Sequence, residues 1–391
     1  MKLNQLYSDI DKNVINTTYN KLKKFKLKNN IKTRINDYKI SFNKVNIDLP
    51  INTRYTLLKK NFDLSNYTPK QFSIYWDKNF DKLNKWYNYL SKYNNFSSKI
   101  NGLIYSKLIL SKFISQFMIN DIIKNCKYYC TIIGNNRNII IFGKTKKEIK
   151  DYIFKTLHAL DYFNLFYIDN TKLNLFIFLS DVKKKFPNDN FYTPFHVNTA
   201  YAIAKTEVVI FRKEEFEKVL FHELIHFYQL DILNYQSPIR NSILNIFNKN
   251  KKIIKFTMNP NEAYTDFLAI VLHLLYVNHV TKKSLKQLIK IELGYINHQA
   301  KKILKLANAK NLSNLVDNFN QSTSVFSYFI LKSAMFNNAN LIKTLNINDL
   351  SFDYTKIIES FLSKKWNKLL NNNSKILNSN NQRMSYISKF L

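Results

Sequence analysis

The feature that most constrains this chain is Phe221-His222-Glu223-Leu224-Ile225-His226-Phe227, an HExxH stretch inside an apolar run with helical spacing. At 3.6 residues per turn, His222 and His226 fall one turn apart on the same face, so both imidazoles can reach one ion. Glu223 is rotated about 100° from His222, which sets its carboxylate beside that ion rather than on it. A general base for a metal-bound water belongs in that position. With seven His and nine Glu in 391 residues, chance would supply the motif only on the order of a few times per thousand such chains.

Two histidines leave a catalytic zinc one protein ligand short. Gln229 and Ile232 stand where a metzincin needs Gly and His, and no GTxxD motif is present downstream to supply an aspartate ligand. Downstream instead stands Asn259-Pro260-Asn261-Glu262-Ala263-Tyr264-Thr265-Asp266, opening a long apolar helix. Glu262 and Asp266 are four residues apart and share a helix face, so a ligand carboxylate and a supporting carboxylate can point at one site. Glutamate is scarce here. Only three Glu come after the HExxH stretch, and Glu262 alone has an Asp four residues on.

Composition bounds the rest. A hydrophobic content of 46%, with 31 Phe and 25 Tyr, is that of a folded chain. No apolar run reaches the roughly 18 residues of a membrane span, and the N-terminus lacks an apolar signal core. The expectation is therefore a soluble, cytoplasmic protein. Two cysteines, Cys126 and Cys130, make no disulfide framework. The net charge of +33 invites a nucleic-acid reading, but only six of the 60 basic residues are Arg, the better phosphate fork and base reader. Lysine spread evenly with Asn and Ile reads as solvated surface, with weak non-specific attraction for polyanions at low salt.

Along the chain, residues 1–135 contain no Glu and read as helical. From Asn138 the pattern alternates: a strand at Asn138–Phe142, a helix over Thr145–Phe163, and strands at Leu173–Leu179, Val197–Ile203 and Glu207–Phe211. The HExxH helix comes next, over Lys213–Leu230. Beyond Pro238 the chain reads helical, with an Asn-rich break near Asn311 and a mobile tail over Asn378–Leu391.

HELIH with NEAYTD downstream resembles the gluzincin metallopeptidases, the thermolysin-like clan in which a Glu from an NExxxD-type helix completes HExxH. The stretch IFRKEEFEKVLFHELIHF is also similar to uncharacterised metallopeptidase-like proteins of large DNA viruses. The resemblance covers roughly residues 195–275 and implies Zn2+ held by His222, His226 and Glu262. It further implies Glu223 as general base and Asp266 as acceptor of a ligand histidine's free N–H. It implies an oxyanion-stabilising Tyr or His from the C-terminal half, for which Tyr328 and His298 are the candidates. An extended peptide substrate would add to the edge strand at Asn198, Thr199 and Ala200.

The expected fold is α+β: a zincin-like domain with a small mixed sheet and active-site helix, a helical C-terminal lobe and a helical N-terminal region. The expected divisions are a basic N-terminal region over 1–135, an upper subdomain over 136–235 and a lower subdomain over 236–391. The expected function is zinc-dependent peptide hydrolysis by an endopeptidase, acting in the cytoplasm or, for a viral protein, in the host cytoplasm or virion. The alternative is a catalytically idle zincin-fold protein, a virion component or polyanion binder. Substrate identity, the role of the N-terminal region and oligomeric state are left open by the sequence.

Overall fold

A β-α-β unit lies at the centre of the protein in the computed structural model. The structure describes residues 10–24, 33, 35–92, 96, 98–187, 191–231, 238, 240–243, 245, 258–309, 312, 314–315, 319–353, 355–371 and 383–391. Its strands are β1 (Lys39–Lys44), β2 (Tyr128–Ile133), β3 (Arg137–Gly143), β4 (Leu173–Phe178), β5 (Phe191–Tyr192), β6 (Ala200–Ile203), β7 (Glu207–Ile210) and β8 (Asn320–Gln321). Between β3 and β4 the helix Lys146–Phe163 makes the crossover that two parallel strands require. Thr145 starts it, its Oγ1 accepting from the Glu148 amide at 3.1 Å.

Six strands form one mixed sheet in the order β1-β2-β3-β4-β7-β6, and β5 pairs with β8 in a separate two-stranded sheet. The β3–β4 and β4–β7 pairs are parallel, and the outer pairs are antiparallel. Ile139, Ile141, Leu175, Ile177, Val208 and Ile210 face one helical layer, which contains the Lys146–Phe163 helix and the HExxH helix. Their alternate neighbours Phe142, Phe178 and Val209 face the other way, toward Ile104, Leu108, Ile119 and Ile122. Burial on both faces explains why β3, β4 and β7 read as near-continuous apolar runs rather than alternating ones.

The N-terminal third is mostly helical, as read from the sequence, but departs from that reading at two strands. β1 and β2 lie within it, and the helices Lys99–Ile104 and Gln116–Asn125 cover the sheet's second face. β2 is hidden in the sequence because Tyr128–Ile133 is short and its neighbours are polar. It becomes a strand by pairing with β3, which the local pattern does not encode. Cys130 is therefore on a strand, not a helix, and both cysteines are buried free thiols. A separate hydrophobic cluster, with Phe72, Trp76 and Trp86 at its aromatic centre and Leu58 and Leu90 beside them, organises residues 58–90.

Two further expectations are corrected. The strand expected over Val197–Ile203 begins only at Ala200, because Pro194–Val197 forms a helical turn with Pro194 at its first position. The mobile tail expected over 378–391 is anchored where it is described. Ile387 is fully buried, and the Tyr386 and Ile387 amides donate to Glu292 Oε2 at 2.9 and 3.1 Å. The break near Asn311 lies outside the described residues.

The helix Pro260–Thr281 is the spine of the C-terminal half. Sixteen of its residues are buried, from Pro260 to Val277. Among the described residues it is the one helix long and apolar enough to cross a membrane, although the sequence showed no such run. Its most apolar window is 83% buried within the protein.

Candidate metal centre

The HExxH helix spans Phe216–Phe227, shorter at both ends than expected. Its start is set by Glu215 in the left-handed region at φ 62°. Its end is a Schellman turn: Gln229, at φ 60°, donates to the His226 carbonyl at 3.0 Å, and Leu230 donates to the Ile225 carbonyl at 3.0 Å. That reversal returns the chain to the helix and brings Asp231 beside His226.

The Pro260–Thr281 helix packs against the HExxH helix and places Glu262 opposite the two histidines. His222 Nε2 and His226 Nε2 are 3.0 Å apart, and Glu262 Oε2 lies 3.3 Å from the first and 3.5 Å from the second. Two ligands at about 2.0–2.1 Å from a tetrahedral ion would be separated by about 3.3–3.4 Å. The three donors therefore form a triangle of the size a tetrahedral zinc needs, with the nitrogen and oxygen donors it accepts. Among the described residues, His222, His226 and Glu262 form the one such group of three.

Each histidine has its own carboxylate. His222 Nδ1 is 3.2 Å from Asp266 Oδ1, where the resemblance implied a contact to one of the two histidines without saying which. His226 Nδ1 is 2.6 Å from Asp231 Oδ2, which also accepts from Asn261 Nδ2 at 2.6 Å. A carboxylate that accepts a hydrogen bond from Nδ1–H favours the tautomer whose Nε2 lone pair is free, and so each histidine could offer Nε2 to a metal ion. Sequence reading does not single out Asp231. Its one signal is its position five residues after His226, which carries meaning only once the Schellman turn is known.

Burial and charge pairing together set the charges, and at His222 burial prevails. It draws His222 down to about 3, leaving the neutral imidazole that metal binding requires. Burial also opposes charge on His226, but Glu262 and Asp231 outweigh it and hold that imidazole well above its usual value. The same pairing overcomes burial at Glu262 and keeps its carboxyl well below the usual range. Glu223 is pushed up to about 8, chiefly by burial, with His226 opposing. A divalent cation facing Glu223 would favour its carboxylate form.

A cleft of about 1010 Å³ opens over these groups, lined by His222, Glu223, His226, Glu262 and Tyr328. The Tyr328 hydroxyl donates to Glu262 Oε2 at 2.8 Å, and its ring lies 5.9 Å from that of His222. Burial, reinforced by Glu262, keeps that phenol protonated. Asn198, Thr199 and Ala200 line the cleft as well. Asn198 donates through Nδ2 to Phe113 O at 3.2 Å and accepts from Thr323 Oγ1 at 2.8 Å. Only Ala200 of the three belongs to β6, which is the edge of the sheet. His298, the second oxyanion candidate, is not among the cleft-lining residues and sits mid-way along the helix Leu285–Leu306. Two parts of the N-terminal third, Asp77–Lys82 and Lys112–Phe113, form a wall of the cleft. Sequence reading gives that third no role at the site.

No family model matches the chain, and no solved structure matches it. It is similar to an uncharacterised protein of Acanthamoeba polyphaga mimivirus, 25% identical over 352 residues, which covers 78% of this chain and 83% of that one.

Proposed function

We propose that this protein is a zinc-dependent metallopeptidase of gluzincin type with a zincin-like active-site domain, acting on peptide or protein substrates. The observation that carries this reading is the 3.0, 3.3 and 3.5 Å triangle of His222, His226 and Glu262, with Glu223 beside it. A zinc ion held there would supply Lewis-acid polarisation of a scissile carbonyl and lower the pKa of an attacking water. Glu223 accepts the water's proton and delivers it to the leaving nitrogen. Tyr328, whose hydroxyl already reaches Glu262, donates to the oxygen on which negative charge develops. The open side of β6, with Ala200 and Ala202 facing the cleft, can take an extended chain by backbone hydrogen bonds.

The polyanion-binding alternative fits less well. Arg54, Arg137, Arg212 and Arg383 are engaged inside the fold, with Ser111 O, Asp161, Phe195 O and Glu214 respectively. The likeness to a mimivirus protein supports a viral origin, and action in the host cytoplasm or in the virion belongs to the same proposal.

The test is the zinc-loaded full chain, set against a library of internally quenched peptides beside Glu223→Gln. Cleavage by the wild type and its loss in the variant, with zinc content equal in both, is the expected result. A chain that binds zinc yet cleaves no peptide would favour the idle-zincin alternative.

A further inference from the structure

Three helices around the centre repeat the same four-residue step. Lys218 and His222 are four apart on the HExxH helix, Glu262 and Asp266 on the Pro260–Thr281 helix, and Tyr328 and Lys332 on the continuous helical stretch Phe326–Phe336. The steps meet in two layers. In the upper layer Tyr328 and His222 converge on Glu262. In the lower layer Lys218 and Lys332 converge on Asp266, Lys218 on Oδ1 and Lys332 on Oδ2 at 2.6 Å. Both lysines are 1% exposed and Asp266 is fully buried, so this lower layer is far from the solvated surface that accounts for most lysines in the chain.

A buried lysine is costly, and two on one carboxylate more so. Here a third element offsets the cost. Met384 places its carbonyl 3.2 Å from Lys332 Nζ and its sulfur 3.6 Å from Lys218 Nζ. The segment around it is tied down by glutamates that are themselves scarce and buried. Arg383 Nε reaches Glu214 at 2.7 Å, the Ser385 amide donates to Glu215, and the next two amides donate to Glu292. Lys184 completes the cluster on Glu215 at 2.6 Å. Three of the nine glutamates in the chain thus hold one five-residue segment against the back of the metal-binding helix.

We propose that Lys218 and Lys332, backed by the segment 383–387, are positioning residues of the metal centre: they fix the Asp266 carboxylate so that Oδ1 faces His222 Nδ1 and His222 Nε2 faces the ion. The direction of the hydrogen bonds carries this role, since an Nζ group donates to a carboxylate whether it is an ammonium or an amine. A carboxylate held by one partner can rotate about its own axis. Held on both oxygens, it cannot, and the imidazole it orients is fixed with it. This inference rests on the metal-centre reading above and assigns two residues and a segment that the HExxH pattern leaves without a function.

The test measures zinc affinity by competition with a chromophoric chelator, and the visible spectrum of the cobalt-substituted full chain, for wild type, Lys218→Met and Lys332→Met. The expected result is zinc binding roughly 10–100-fold weaker in each variant, with a changed cobalt band that reports an altered ligand field. Where a Met variant does not fold, Lys218→Gln and Lys332→Gln, polar and about one bond short of Asp266, are read in the same way. Variants that melt earlier but keep wild-type zinc affinity and an unchanged cobalt band would overturn the proposal and leave the lysines as fold-stabilising only. A wild-type chain that binds neither metal would overturn the metal-centre reading itself.

Discussion

His226 Nδ1 lies 2.6 Å from Asp231 Oδ2, a contact made across the turn that ends the HExxH helix. The residue that orients the second histidine therefore comes from the same short segment as the histidine, whereas Asp266, which orients His222, comes from another helix. The Pro260–Thr281 helix nevertheless touches both carboxylates, carrying Asp266 itself and donating to Asp231 Oδ2 from Asn261 at 2.6 Å.

Asp231→Asn should weaken zinc binding roughly 10–100-fold, because an amide can present its NH2 to Nδ1 and favour the wrong tautomer. Thermal stability of the metal-free chain should change much less. Isothermal titration with zinc measures the first quantity and metal-free melting the second. Unchanged affinity would show that His226 needs no orienting carboxylate.

Tyr328→Phe removes the hydroxyl but keeps the ring packed near His222. If Tyr328 donates to the developing oxyanion, kcat should fall on the order of 10²–10³, while KM and zinc content stay near wild-type values. A variant that loses zinc instead would place the hydroxyl's role in holding Glu262.

His273 is fully buried with its Nδ1 3.4 Å from Ser385 Oγ, and burial draws it down to about 3. A base depressed on folding contributes stability that is present above its unfolded value, about 6.5, and is lost as pH falls from there toward 3. In this window the unfolded chain binds the extra proton, and the loss approaches about 1.4 kcal/mol per pH unit for one group. His273→Leu should flatten the acid limb of a pH–stability curve measured by urea unfolding of the metal-stripped chain. An identical slope in both proteins would mean that His273 is not held neutral.

Binding of DNA should be weak, should vanish as salt rises toward physiological levels, and should be indifferent to chelators. Lysine presents a point charge rather than a phosphate fork, Arg54 and Arg212 are buried, and Arg383 is paired with buried Glu214. Fluorescence anisotropy across a salt series checks this. Tight, salt-resistant binding would revive the nucleic-acid reading.

The HExxH motif and the NEAYTD stretch could be read in the sequence because ligand spacing on a helix is a local property. His222, His226, Glu262 and Asp266 could be named once both helices were recognised, and Tyr328 could be preferred to His298 but not placed at the site. Only packing placed them: Phe326–Phe336 lies against the Pro260–Thr281 helix and brings Tyr328 to Glu262, while His298 is on a helix face that the cleft does not reach. Asp231 depended on a left-handed Gln229 that no glycine signalled. The contribution of the N-terminal third to the sheet and cleft depended on strand pairing between residues about ninety positions apart, as in Ser41 with Thr131.

By itself, then, the sequence determined which side chains could hold an ion and which could stand beside it as a base. Local helical periodicity is enough for that. The tertiary structure alone decided which groups meet those side chains, namely Asp231 at His226 through a turn, and at His222 Asp266 with Lys218 and Lys332 on it and Met384 behind them. Those contacts join segments up to 166 residues apart. They arise from the burial of charged groups that must find partners wherever the fold places them.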